Sequence, residues 1–178
     1  MSAQIKSLIR TVPDFPKPGI KFRDITPLLA DGPGFRLVTS TLVERYRGKI
    51  DKVAAIEARG FIFGAAIAHA LGVGFVPIRK PGKLPHATIA HDYALEYGTN
   101  RVELHVDGVE PEERVLVVDD LLATGGTMTA ALSLLGQLDA NIVECAFVID
   151  LVDVGGRARL EKRGVKVFAL CEYTDDEG

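Results

Sequence analysis

The sequence predicts an α/β fold, a single domain with a mainly parallel central sheet flanked by helices. Three observations carry this. Apolar runs of strand length alternate with helical stretches through most of the chain. The runs are continuously apolar, which marks strands buried on both faces. The chain has 178 residues, 47% hydrophobic and 25% charged, enough for one domain with a full core.

The elements follow in order. Ile5, Leu8, Ile9 and Val12 recur at helical spacing, and Pro13 stops the pattern. "PDFPKPG", residues Pro13 to Gly19, holds too much proline for a helix or strand and reads as an ordered loop. Phe35, Val38, Leu42 and Tyr46 mark a second helix that closes near Gly48. Then "KVAAIE" (Lys52 to Glu57) is a strand, "GFIFGAAIAHAL" (Gly60 to Leu71) a helix and "VGFVPI" (Val73 to Ile78) a strand. Val115 to Asp120 is a buried strand ending in two carboxylates, followed by a glycine loop and a helix. "NIVECAFVID", "GGRARLEKRG" and "VKVFALCEY" complete the alternation as strand, helix and strand. Thr88 to Val106 breaks it. Val102, Leu104 and Val106 alternate with polar residues, and "GTN" separates two extended halves, which predicts a hairpin that need not lie in the sheet. Long excursions of this kind are often lids.

Bulk properties exclude several classes. The net charge of −3 gives no global basis for nucleic-acid binding. Cys145 and Cys171 lie in apolar runs, so a disulfide framework is not expected and a reducing cytoplasm fits. The N-terminal stretch has no long apolar segment of a signal peptide, and no run suffices to span a bilayer. No internal repeat, low-complexity tract or zinc-type spacing of the four histidines is present. His69, in an apolar helix, is expected to pack, and Asp175, Asp176 and Glu177 to form a solvated tail.

The charge is uneven. Ala58 to His91 contains no Asp or Glu but holds Arg59, Arg79, Lys80 and Lys83, a local cationic field in an acidic chain. Ligands of open parallel sheets bind at the carboxyl ends of strands. Three such ends carry unusual residues: Glu57-Ala58-Arg59-Gly60, Arg79 to Lys83, and Asp119-Asp120 with the loop after them. In that loop, Ala123, Thr124, Gly125, Gly126 and Thr127 combine exposed N–H groups, a helix start and two hydroxyls, which suits one phosphate. It has neither the Walker spacing with its lysine nor a GxGxxG fingerprint. Carboxylates repel phosphate, so Asp119 and Asp120 are expected to face something else. A ribose diol fits, because an ionised carboxylate accepts from two hydroxyls. The pair could also stabilise positive charge developing on a sugar ring. Read separately, "DD" could be an ordinary turn and "TGGT" a plain loop; contiguous after an apolar strand, they describe a ribose 5-phosphate site. Arg79 and Lys80 taken alone read as surface charges, whereas Arg59, between an apolar strand and an apolar helix, should meet an anion.

"VLVVDDLLATGGT" resembles the signature of the type I phosphoribosyltransferases, which bind phosphoribosyl pyrophosphate (PRPP). "FPKPGIKFRDITPLL" (Phe15 to Leu29), "EARGFIFG" (Glu57 to Gly64), "RKPGKLP" (Arg79 to Pro85) and "LEYG" (Leu95 to Gly98) resemble the adenine phosphoribosyltransferases within that family, over nearly the whole chain. The resemblance implies the type I fold, residues 1–178 as one domain, with a base-binding hood at 1–34 and a flexible β-hairpin lid at 86–107. It implies adenine and PRPP giving AMP and pyrophosphate, with Mg²⁺ held mostly by ligand and water oxygens and not directly by the protein. It places the 5-phosphate on Ala123 to Thr127, and the pyrophosphate on Ala58, Arg59, Arg79, Lys80 and Lys83. Phe22 would stack on adenine while the main chain of Lys21 and Arg23 reads its edge. Without the resemblance, Phe22 reads equally as core and Arg23-Asp24 as a surface pair. Glu96 and Tyr97 would approach when the lid closes, Glu96 handling a proton on the imidazole ring; periodicity alone makes Glu96 solvent-facing. Catalysis would rest on Glu96, Asp119, Asp120 and Arg59. A non-proline cis bond at Glu57-Ala58 and a homodimer are further family traits. "HATIAHDYALEYG" departs from the family's acidic, serine-rich version, so His86, His91 and Asp92 inherit no role. The rival readings are transfer to another purine such as hypoxanthine or xanthine, and a non-catalytic PRPP-binding regulator. The latter usually carries an extra DNA-binding domain; with about fifty residues before the first sheet strand and no basic recognition helix, it is the less favoured reading.

Overall fold

The computed structural model describes residues 1–94 and 99–177. Five strands form the central sheet: β3 (Lys52–Ile56), β4 (Gly74–Ile78), β7 (Arg114–Leu122), β8 (Asn141–Leu151) and β9 (Val167–Tyr173), in the order β4-β3-β7-β8-β9. Every pairing is parallel. Continuous apolar strands demand cover on both faces, and side-chain alternation shows how it is supplied. Val53, Ala55, Leu116 and Val118 share one core with the N-terminal helices. Their neighbours Ala54, Ile56, Val115 and Val117 share another with Met128, Leu134 and Leu135. The first cover comprises α1 (Ser2–Lys6), α2 (Thr26–Ala30), α3 (Gly32–Tyr46) and α4 (Arg59–Leu71); the second includes α5 (Gly126–Gln137) and α6 (Gly156–Glu161).

Two short sheets stand apart from the central one. β1 (Arg10–Val12) pairs antiparallel with β2 (Phe22–Asp24), and β5 (Thr88–Ala94) with β6 (Thr99–His105). The second is the expected hairpin. It joins the main sheet through Arg79 and Glu103, whose main chains exchange hydrogen bonds of 3.0 and 2.7 Å. Val102 and Leu104 turn inward, while Val106 is exposed.

The structure corrects three boundaries. The first helix ends at Lys6, not near Val12, because Thr11 and Val12, both β-branched, enter the ladder with Arg23 and Phe22. Ile5 and Ile9 remain buried, so the apolar spacing was a packing signal without a continuous helix. Thr99 and Asn100 belong to β6 and not to the connection between the hairpin strands. β7 continues through Leu122, paired to Ile149 and Asp150 of β8, so the two acids lie within the strand. The loop Pro13 to Gly19 is irregular as expected, with a cis Phe15-Pro16 bond.

α3 begins at a cap, Asp31 accepting from the Gly34 N–H at 2.7 Å. At its other end it is pinned across the core. Glu144 on β8 accepts from Arg45 Nε and Nη2 at 2.8 and 2.9 Å and from the Tyr46 hydroxyl at 2.6 Å. A buried carboxylate is tolerable only with such partners. Tyr46→Phe keeps the ring and removes one donor to this charge. Urea unfolding should show a loss of about 1.5 kcal/mol; unchanged stability would mean that Arg45 alone satisfies Glu144.

Candidate active site

Because β4, β3 and β7 are neighbours and parallel, their carboxyl ends open side by side. Glu57 to Gly60, Arg79 to Lys83 and Asp119 to Thr127, remote in sequence, therefore share one edge.

The loop after β7 is short, with α5 starting at Gly126. Gly125 precedes it at φ +74°, a left-handed conformation that a Cβ would strain. Gly125 has no side chain to cap this helix, and only a long 3.4 Å contact from the Gly126 N–H to the Thr124 hydroxyl touches its first turn, which leaves the helix start open to an outside anion, with the helix dipole in favour. A concavity of about 100 Å³, on the scale of one phosphoryl group, is lined by Asp119, Leu121 to Met128 and Phe147. The Thr127 hydroxyl stands 3.3 Å from that of Tyr93 on the hairpin. Sequence reasoning passed over Tyr93; its signal was an aromatic residue four positions after Ile89, on the strand face that packs against the core.

The two acids point to different neighbours, as successive strand residues must. Asp119 opens into the concavity, contrary to the expectation that neither acid would face the phosphate loop. One of its oxygens accepts from the Asp120 N–H at 2.9 Å. The protein packed around it desolvates the carboxyl, and with the charge of Asp120 this pushes it well above the usual carboxylate range. A carboxyl with reduced charge repels a phosphate less. Gly60 permits the fit, since a Cβ there would stand 2.9 Å from an Asp119 oxygen. Asp120 is buried and paired with Arg59 at 2.5 Å. Arg59 thus meets an anion, as its setting required, but the anion is protein. About half of its side chain stays exposed, within 5.5 Å of the Phe22 ring centre.

Glu57 organises the second strand end. Arg79 Nε donates to it at 3.0 Å and the Lys80 main-chain N–H at 3.1 Å. The Arg79 guanidinium, foremost, holds its carboxyl below the usual range. Arg79 also donates to the Lys83 carbonyl at 3.1 Å, and Glu103 accepts from Gly82 N–H at 3.1 Å. The side chains of Lys80 and Lys83 have no ion pair among the described residues, and the loop around them is exposed. The Glu57-Ala58 peptide is cis.

On the hood, Phe22 lies edge-on to Phe15 at 5.2 Å. Arg23 and Asp24 do not form a surface pair. The Arg23 side chain is buried against Tyr173, 4.1 Å from its ring centre, and Asp24 accepts from the Thr26 N–H and hydroxyl. Glu96 and Tyr97 lie outside the described residues. Two background readings change. His69 is exposed, not packed. Asp175 and Asp176 are exposed, as expected of a solvated tail, but the stretch is tied down, with Glu177 paired to Lys6 at 2.6 Å. The two cysteines are buried and free, and burial pushes both thiols up to about 12. Among the described residues no helix is long and apolar enough to cross a membrane.

Comparison with known proteins agrees with this layout. Residues 33–177 match the family model described as phosphoribosyl transferase domain. A curated relative from Methylobacillus flagellatus, named adenine phosphoribosyltransferase, is 60% identical over 97% of this chain and 99% of its own. The crystal structure of adenine phosphoribosyltransferase from Thermoanaerobacter pseudethanolicus is 47% identical, with a TM-score of 0.92 over 97% of this chain and 100% of that one. That of the Saccharomyces cerevisiae enzyme, complexed with an imino-altritol bisphosphate and adenine, is 38% identical, with a TM-score of 0.88 over 95% and 97%.

The raised Asp119 carboxyl has a measurable consequence. The folded protein binds this proton more tightly than the unfolded chain, where Asp titrates near 3.8. The contribution of Asp119 to stability is therefore greatest below that pH and declines as pH rises towards the folded value. Asp119→Asn removes the decline. At neutral pH the ligand-free variant should melt above the wild type, and the two curves should converge as pH falls to about 3.8. A variant that melts lower at every pH would contradict this.

Proposed function

The chain belongs to the adenine phosphoribosyltransferases, and from that premise we propose which of its residues carry the reaction. The reaction is transfer of the 5-phosphoribosyl group from PRPP to adenine, giving AMP and pyrophosphate in purine salvage. The observation that carries the assignment of roles is the convergence of three strand ends: β7 with its acid pair and the helix start after it, β4 with its basic residues, and β3 with Arg59.

Ala123 to Thr127 bind the 5-phosphate through main-chain N–H groups and the two hydroxyls. Asp119 and Asp120 accept from the ribose hydroxyls and stabilise positive charge that develops on the ring. Arg59, Arg79, Lys80 and Lys83, with the main chain at Ala58, receive the pyrophosphate. This use of Arg59 is supported by its half-exposed side chain, which can meet a second anion while paired to Asp120. Phe22 stacks on the base and the main chain of Lys21 and Arg23 reads its edge. Backbone groups separate a 6-amino from a 6-oxo purine, because donor and acceptor exchange places and a mismatch leaves buried polar groups unpaired. Displacement then proceeds with inversion at the anomeric carbon, through a transition state rich in oxocarbenium character. Positioning and fixed charges supply most of the acceleration. Glu96 handles the imidazole proton of adenine, Tyr97 approaches with it, and the hairpin keeps water from the sugar cation.

Magnesium fits this donor set. The donors at this edge are oxygens, the ligand type that a hard divalent cation takes, and the ion would supply charge to neutralise the leaving group. The Asp119 and Asp120 carboxylates would act on it through the hydroxyls they orient. The same reading makes the protein a cytoplasmic homodimer.

Asp119→Asn and Asp120→Asn should each lower kcat/KM for AMP formation on the order of a hundredfold, with far smaller changes in melting temperature. Wild-type kcat/KM in both variants would refute the diol clamp. Glu96→Gln should slow single-turnover AMP formation at saturating substrates; an unchanged rate removes Glu96 from the chemistry.

A further inference from the structure

We propose that the stretch Thr174 to Glu177 is a positioning clamp on the base-binding hood, so that affinity for adenine depends on residues remote from the base. This rests on the reading above that Lys21 to Arg23 recognise adenine. The geometry is specific. Lys21 and Arg23 flank Phe22, and both send their side chains away to the same short segment. Lys21 Nζ donates to the main-chain carbonyls of Asp175 at 2.9 Å and Glu177 at 3.3 Å. Arg23 Nη2 donates to the Glu177 carbonyl at 2.7 Å, and Nη1 to the Thr11 hydroxyl. Its Nε has no hydrogen-bond partner among the described residues, so this buried guanidinium relies on those contacts and on the Tyr173 ring. The two flanking side chains are thus turned away from Phe22 and anchor the strand that carries it.

The segment is itself held in place. The Glu177 carboxylate accepts from Lys6 Nζ at 2.6 Å and from the Thr174 N–H at 3.1 Å. The Asp175 N–H donates to Asp153 at 2.7 Å. Lys6 lies 4.7 Å from the centre of the Tyr173 ring, on which Arg23 also rests. A concavity of about 360 Å³ lies between the hood and this segment, bordered by Ile20, Lys21, Arg23, Thr174 and Asp175. With space between them, the hood and the segment beyond Tyr173 are coupled through the named polar links. Backbone recognition needs the carbonyls and N–H groups fixed to a fraction of an ångström, and a displaced main chain weakens base binding first.

The test uses steady-state kinetics on the full chain. Glu177→Ala releases the segment, and Lys21→Met removes the ammonium while keeping the main chain. Each should raise KM for adenine about tenfold and leave KM for PRPP within about twofold. Their combination should be no worse than the worse single variant, since both break one linkage. Glu177→Gln, which still accepts from Lys6 and Thr174, should stay close to wild type. Phe22→Ala reports on the base site itself. If Phe22→Ala raises KM for adenine while Glu177→Ala and Lys21→Met do not, the clamp is refuted and the base site stands. Equal rises in both KM values also refute it, because a loosened fold would produce them. If Phe22→Ala leaves KM for adenine unchanged, the base-site reading fails and the clamp with it.

Discussion

Parallel pairing of three neighbouring strands is the constraint on which the site depends. In a parallel ladder every strand delivers its carboxyl end to the same edge. β3 sits between β4 and β7, so the segments that follow these strands must meet whatever their distance in sequence. The register fixes the meeting to within a residue, with Ala54 opposite both Val76 and Val117. A site of this kind needs no long-range coincidence. It needs a sheet that stays in register, and two buried faces of Val, Ile, Leu and Ala ensure that, because a slip by one residue would expose every side chain that now packs.

Charge is arranged on that edge so that opposites are already close. The segment without acids receives them from elsewhere: Glu57 reaches Arg79, Asp120 reaches Arg59, and Glu103 reaches the Gly82 N–H. These pairs pre-set the direction of each guanidinium at little cost in side-chain freedom. Asp119 has no ion pair among the described residues, and burial resists its charge. Such strain on an ionisable group is what a site built to bind a cationic transition state would be expected to hold before substrate arrives.

Much of this was legible in the sequence. The strands could be read because burial on both faces leaves an unbroken apolar run, and the glycine loop because few residue types make a tight, left-handed turn into a helix start. The adjacency of Glu57, Arg79 and Asp119 followed from the parallel arrangement. What escaped has a common cause: long-range pairing is invisible to local pattern. Thr11 and Val12 carry apolar spacing that suits a helix, yet a ladder with Arg23 and Phe22 claims them. Arg59 announced a need for an anion but not that Asp120, sixty-one residues away, would supply it. Asp175 to Glu177 look like a tail until Lys6 and Lys21 are seen beside them. Tyr93 gave no sign that its hydroxyl would reach Thr127.

The two main-chain bonds between Arg79 and Glu103 tie the hairpin to the sheet at a single rung. Below that rung Val102 and Leu104 are sunk in the core shared with Met128, so the foot of the hairpin is fixed to the body of the domain. Arg79 therefore serves two structures at once: its main chain holds the foot of the hairpin, and its guanidinium pairs with Glu57 at the basic strand end. A change of backbone at this one residue would disturb both.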